Sequence, residues 1–320
     1  MRRISGRCFL LIAFFLFLAL PSILPELPGM DLLALVPTGA QIVAGISASP
    51  PQGQPDNFVL ITHNNTVDLN DFYALAGADS RRVIRRIIFV AVADKAGLLD
   101  EHSLLASGHF DRERIYGSAI EGGASRGDYH GISVLALLPF ARERGELNEV
   151  RWLVVPNSEL LLFGTITSVQ QELDRLRNHS PTDPSLLYRL ARLRHDDQTW
   201  CVVSVPTRNA EIWGILAALD PQLANATREG TSFQFGIRYT RQVEFEYEVT
   251  TDSATATRAM ADSFPRSLAG ESKEAALLDV TDITEDGRTV HGTLKVPISR
   301  YNAWLAEVSA RTRARRNSPP

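Results

Sequence analysis

Hydrophobic positions alternate with a period of two in several stretches of this chain, and each such stretch runs into a helical apolar stripe. Residues 149–177, EVRWLVVPNSELLLFGTITSVQQELDRLR, are the organising example. Apolar runs at Trp152–Val155 and Leu160–Phe163 flank Pro156-Asn157-Ser158, which reads as a hairpin. Thr167 then caps a helix, with Gln170 three residues on in a capping-box pattern. Val169, Leu173 and Leu176 fall on one face of that helix.

The strand, turn, strand, helix unit occurs four times. Ahead of it, Leu32, Leu33 and Leu35 lead to Pro37, and Ile42–Ile46 and Asn57–Thr62 read as strands. Asn70 caps a helix carrying Phe72, Tyr73 and Leu75. Arg86–Ala93 and Ser103–Gly108 form the first strand pair, followed by a short helix from Asp111. Tyr129–Leu138 is one additional strand, entered through a Gly-rich loop. Residues 178–184, NHSPTDP, are a polar linker. Asp183 as cap and Pro184 at the first helical position open a helix whose apolar face is Leu186, Leu187, Leu190 and Leu193. Trp200–Val205 is a strand, and Asn209 starts a helix that ends before Pro221.

The third pair has the clearest period of two. Phe233, Phe235, Ile237 and Tyr239 share a face with Val243, Phe245, Tyr247 and Val249. Closure at Thr240-Arg241-Gln242 sets Phe235 opposite Tyr247, Ile237 opposite Phe245 and Arg238 opposite Glu244. A helix aligning Ala256, Met260 and Phe264 follows. The fourth pair, Ala276–Ile283 and Thr289–Val296, turns at Asp286-Gly287. Its helix is capped by Ser299 and carries Tyr301, Trp304, Leu305 and Val308.

Each half therefore reads as a strand and a helix, then two strand-strand-helix units. The expected fold is α+β: a duplicated module of antiparallel sheet, with helices on one face because each has a single apolar stripe. Residues 30–180 make the first module, 181–310 the second, and 311–320 an Arg-rich tail. The pattern leaves open whether the halves share one sheet.

Composition changes this picture little: 44% hydrophobic and 22% charged residues are ordinary for a globular chain. Charge is more informative. The net charge is −4. Arg2, Arg3, Arg7, Arg311, Arg313, Arg315 and Arg316 all lie at the ends, so the body is more acidic still. That excludes nucleic acid as the expected partner. Cys8 and Cys201 are the two cysteines. Cys201 stands alone in the apolar run TWCVVSV and reads as a buried thiol.

A basic start, an apolar run from Cys8 to Leu20 and then Pro21 form a secretory-signal pattern. No clean small-x-small cleavage site follows. Residues 1–29 therefore read either as a cleaved signal or as an anchor in the inner membrane through residues 8–24, with a Pro-rich spacer. Both readings put the body in the periplasm.

Leu32 to Ile46, Leu-x-x-Leu-Val-Pro-Thr-Gly-Ala-x-x-Val-x-x-Ile, resembles the opening of exported proteins of unknown function from acidobacteria and similar bacteria. The strand, Gly164-Thr165, helix pattern is similar to theirs as well. The resemblance implies an exported envelope protein and carries no catalytic residue.

Few residues suggest chemistry. Gly123-Ala124-Ser125-Arg126-Gly127 matches G-x-S-x-G, but a loop entering a strand is the wrong context for a nucleophile elbow. Ser125 and His130, with His195 and Asp196 behind them, are the residues a hydrolase would use. No histidine pair has H-x-x-x-H spacing. Glu244, Glu246 and Glu248 form an acidic stripe, the outside candidate for a metal site; alternate strand residues stand about 7 Å apart, and the stripe reads as a solvated face partly neutralised by Arg238. No cofactor is expected. The leading expectation is a non-catalytic envelope protein that binds or scaffolds an unidentified envelope protein or peptide. An exported hydrolase using Ser125 and His130, and a membrane-anchored assembly factor, are the alternatives.

Overall fold

Alternation along the strands sorts the chain onto two faces of one antiparallel sheet. The computed structural model describes residues 30–47, 59–61, 66–68, 83–92, 101–137, 150–194, 196–204, 230–268 and 279–300. A 3-10 turn at Met30–Leu35 leads into β1 (Ile42–Ser47). A small separate ribbon pairs β2 (Val59–Ile61) with β3 (Thr66–Asp68). Then come β4 (Ile84–Val92), β5 (Glu101–Gly108), α1 (Arg112–Glu121), β6 (Ser125–Tyr129), β7 (Ile132–Leu137), β8 (Arg151–Asn157) and β9 (Leu160–Thr165). Helices α2 (Ile166–Asn178) and α3 (Pro184–Leu190) precede β10 (Thr199–Ser204), β11 (Gly230–Tyr239) and β12 (Gln242–Thr251). Helix α4 (Ala254–Leu268) and the hairpin of β13 (Asp279–Asp286) and β14 (Thr289–Pro297) complete the described chain.

Twelve strands form one sheet in the order β13-β14-β12-β11-β10-β1-β4-β5-β9-β8-β7-β6. The two halves share this sheet, because β1 pairs with β10 and the ladder runs through the seam. The register of the third hairpin is as the alternation predicts, with Phe235 opposite Tyr247, Ile237 opposite Phe245 and Arg238 opposite Glu244. Asp111 and Asp183 cap α1 and α3, accepting from the backbone N–H of Arg114 and Ser185.

Helices lie on both faces, which corrects the expectation of one. In β4 five consecutive residues, Ile87 to Ala91, are buried, so neither side of that strand faces water. Ile87, Phe89 and Ala91 join the core that α1 covers with Ile115, Tyr116 and Ala119. Ile88 and Val90 join the opposite core, covered by Val169 and Leu173 of α2, Leu186 and Leu190 of α3, and Leu32, Leu33 and Leu35 of the 3-10 turn. A single apolar stripe says that a helix packs, but not on which side.

Four local expectations also change. Residues 129–138 are not one strand: β6 and β7 are separated by His130-Gly131, both at positive φ (53° and 83°), the geometry of a type I′ turn. Asp128 Oδ1 accepts from the Gly131 N–H at 2.9 Å and holds that turn. The β8–β9 turn is Ser158-Glu159, since Asn157 pairs with Leu160; Asn157 Oδ1 accepts from the Glu159 N–H at 2.8 Å. Thr165, not Thr167, is the N-cap of α2, and its hydroxyl donates to Ser168 Oγ at 3.0 Å instead of capping the backbone. Leu187, expected on the apolar face of α3, is exposed.

Strands β7 and β8 pair only from Leu135 to Leu137. At the position where the register would set Ser133 opposite Val155, the Tyr116 hydroxyl enters from α1. It donates to Ser133 O at 2.6 Å and accepts from Val155 N at 3.2 Å. One side chain thereby satisfies two backbone groups that the splayed strands leave apart. The leader, the helices expected from Asn70, Asn209 and beyond Ser299, and the tail lie outside the described residues.

Candidate functional site

Among the described residues, the largest charged assembly forms on the face of β11, β12 and β14 opposite Phe245 and Tyr247. Period-two alternation puts Glu244, Glu246 and Glu248 there, beside Arg238, Gly236 and Gln234 of β11. The segment after α3 brings Arg192, Arg194, Asp196 and Asp197 over them. Arg192 Nη2 stands 2.8 Å from Glu248 Oε2, and His291 Nδ1 of β14 stands 3.3 Å from the same oxygen. Arg194 reaches Glu246 at 3.6 Å and Asp196 at 3.4 Å. Arg238 donates to Asp196 at 2.6 Å and also to Glu244.

These contacts set the protonation states. Its bonds to Asp196 and Glu244 raise Arg238 above its ordinary value, and Arg238 in turn holds the Asp196 carboxyl low. Burial raises Glu248, against the pull of Arg192 and His291. Asp197 is 2% exposed. Burial first, then the charges of Glu246 and Asp196, push its carboxyl up to about 7. The carboxylate lies directly over Gly236, where a Cβ would stand 1.8 Å from Oδ2.

The acidic stripe is thus counter-charged by three arginines from two directions. Among the described residues no group of three or more His, Cys, Asp or Glu side chains is placed to hold a metal ion. Chemically the arrangement is a clamp: it fastens Arg192, Arg194 and Asp196 to the sheet. Its exposed ion pairs each contribute little, typically under about 1 kcal/mol.

Ser125 and His130 are not brought together. They sit at opposite ends of β6, about 17 Å apart along an extended strand. Both are exposed. Ser125 pairs with Ala136, and the Gly-rich turn leading to it comes from α1. The order is helix, turn, strand, the reverse of a nucleophile elbow. His130 stacks edge-on against Tyr129 with ring centroids 4.4 Å apart. Asp196 is engaged by Arg238 and Arg194, and His195 lies outside the described residues.

Two groups escaped the sequence reading. Glu172 is fully buried, and the Ser103 hydroxyl of β5 donates to its Oε1. Burial pushes the carboxyl up to about 8, opposed by that hydrogen bond. Its signal was present: three residues after Val169 and beside Leu173, Glu172 falls inside the apolar stripe of α2. Protonated, it is a neutral clip between α2 and β5. The second is the packing role of Gly164, read from the sequence only as part of a strand-to-helix pattern: it permits the close approach of β9 to β5, and a Cβ there would stand 2.4 Å from His102 O. Cys201, read as a buried thiol, is free and buried, and burial pushes it up to about 12.

The sheet also has two ends. β13 closes one and β6 the other. Ser125, Arg126, Gly127 and Asp128 are all exposed, and among the described residues no strand pairs with the outer side of β6. A half-exposed aromatic group borders it: the Tyr129 hydroxyl bonds both oxygens of Asp174 on α2 at 3.2 and 3.3 Å, and Trp152 stacks on Tyr129 at 5.6 Å.

No helix among the described residues is long and apolar enough to cross a membrane. No protein-family model matches the chain, and no curated protein or solved structure is significantly similar to it.

Proposed function

We propose that this chain is a non-catalytic exported protein of the cell envelope, and that it binds or scaffolds a protein or peptide through its sheet. The observation that carries the reading is the long antiparallel sheet ending in the exposed strand β6. An open sheet edge offers unpaired backbone groups to an added strand. The basic start and the apolar run at Cys8–Leu20 support export, and the same run supports inner-membrane anchorage if it is retained. The separation of Ser125 from His130 speaks against the hydrolase alternative.

We also infer that the body arose by doubling of one α+β module. Outward from the β1–β10 seam, the order β1-β4-β5-β9-β8 mirrors β10-β11-β12-β14-β13. A helix follows β5, and another follows β12. The hairpin of β6 and β7 is then an addition to the first copy.

Cell fractionation with intact-mass measurement tests the export reading. The body is expected in the periplasm; a mass lacking residues 1–29 means a cleaved signal, and a full mass in the membrane fraction means an anchor. A chain recovered with cytoplasmic protein would overturn the proposal. In a screen of ester, peptide and glycoside substrates no turnover is expected. Turnover abolished by Ser125→Ala would establish the hydrolase instead.

A further inference from the structure

We propose that β6 is a self-association edge, on which two copies of this chain pair antiparallel about Gly127 and join their sheets across a two-fold axis. The pairing names the occupant of one edge, and it rests on the reading of that edge as the working surface.

The turn at the end of β6 decides which backbone groups are free. The two residues His130-Gly131 make Tyr129 and Ile132 the closing pair. In a type I′ hairpin that pair exchanges hydrogen bonds, and such pairs recur at every second residue. Tyr129, Gly127 and Ser125 therefore direct N–H and C=O toward β7. Arg126 and Asp128 direct theirs outward, to the open side.

Those two residues then select the register. An antiparallel copy can engage the outward groups of Arg126 and Asp128 only at every second setting. Centred on Gly127, Arg126 faces the partner's Asp128 and Asp128 faces the partner's Arg126, each as a hydrogen-bonded pair. Opposite charges in such cross-strand pairs attract, and two-fold symmetry makes each pair occur twice. The settings on either side place Arg126 opposite Arg126, or Asp128 opposite Asp128, and like charges directly opposite repel.

Three features strengthen the choice. The far edge, β13, carries Asp279, Asp282, Glu285 and Asp286; charged edges of this kind block pairing. The near edge is neutral in sum. In the helix that leads into β6, Ile120 is 44% exposed, one of three large apolar side chains exposed among the described residues. Pairing of β6 with the partner's β6 also closes the assembly at two, whereas pairing β6 to β13 would propagate into a fibre.

The test is the mass of the full chain, purified as cells process it, by light scattering across a concentration series. Wild type is expected to dimerise. Arg126→Asp sets acid against acid twice and should weaken the dimer by about tenfold or more. Arg126→Asp combined with Asp128→Arg restores opposite charges and should restore the dimer. Because Asp128 also holds the hairpin turn, and Arg126 donates to Ser133 Oγ at 2.8 Å within its own protomer, a second variant guards the conclusion. Gly127→Cys places two thiols in a non-hydrogen-bonded pair with Cα atoms about 4.5 Å apart, within disulfide range. A Cβ there meets Val134 Cγ2 at 3.4 Å, an ordinary contact. Oxidation of this variant should link the copies through position 127, with the wild-type chain as the control for Cys8. A chain monomeric at every concentration, or a dimer that ignores Arg126→Asp and forms no disulfide in Gly127→Cys, would overturn the proposal. Neither result would bear on export, which the fractionation reads separately.

Discussion

Replacing Glu172 by Gln isolates one buried carboxyl between α2 and β5. Glu172 is fully buried and accepts from Ser103, yet burial moves its carboxyl from 4.5 to about 8. The protein therefore takes up a proton here when it folds at any pH between those values. The contribution to stability is complete below about pH 4.5 and is lost as the pH rises to about 8. At about 1.4 kcal/mol per unit of displacement, the loss amounts to about 4–5 kcal/mol over the window. Gln keeps the size and the oxygen that accepts from Ser103, but it does not titrate. Its amide group replaces Oε2, which has no hydrogen-bond partner among the described residues, so the variant carries a fixed cost of about 1–3 kcal/mol. Only a difference between the two proteins is needed, because all other titrating groups cancel. Urea unfolding at half-unit steps from pH 4 to 9 measures it. Glu172→Gln is expected to be the less stable protein at pH 4.5 and to gain on wild type steadily up to pH 8. Stability curves that stay parallel across the window would refute the reasoning.

Three further outcomes follow from the packing. Tyr116→Phe removes the hydroxyl that satisfies Ser133 O and Val155 N; two backbone groups lose their partner, and chemical denaturation should report a loss of about 1–3 kcal/mol. Gly236→Ala drives a methyl into the Asp197 carboxylate, and a loss of about 1–3 kcal/mol is expected; in Gly236→Ala combined with Asp197→Ala much of that loss should return. Cys201 is buried, and its thiol is pushed up to about 12, so in the native protein it should resist iodoacetamide at pH 8 and react fully only in denaturant, as mass spectrometry would show.

What the sequence could convey depends on how local each signal is. The hairpin of β11 and β12 was readable to the residue, because a period of two keeps Phe235, Ile237, Phe245 and Tyr247 on one face and the turn at Thr240-Arg241-Gln242 fixes the register. The cap at Asp183 and the helix start at Asp111 were readable because those signals are local. The side of the sheet a helix covers was not, since it depends on connections between distant strands, and β4 with its five buried residues gave no polar face to decide it. The break at His130-Gly131 was hidden because His-Gly is not among the dipeptides that mark a two-residue hairpin turn, and the apolar run beyond it looks continuous with Tyr129. Among functional groups, the Glu244, Glu246 and Glu248 stripe was visible, and so was Arg238 beside it. Arg192 and Arg194, which complete its neutralisation, arrive from the segment before β10 and have no local signal. Glu172 was overlooked because a charged letter in an apolar stripe is easily assigned to solvent.

The outer strand of the sheet is the working surface proposed for this protein. Amide hydrogen exchange at Arg126 and Asp128, followed from dilute to concentrated protein, tests that claim most directly. Both N–H groups should exchange freely when the chain is dilute and become protected as it is concentrated, while the Gly127 amide, bonded to β7, stays protected throughout. Unprotected exchange at Arg126 and Asp128 at every concentration would contradict it.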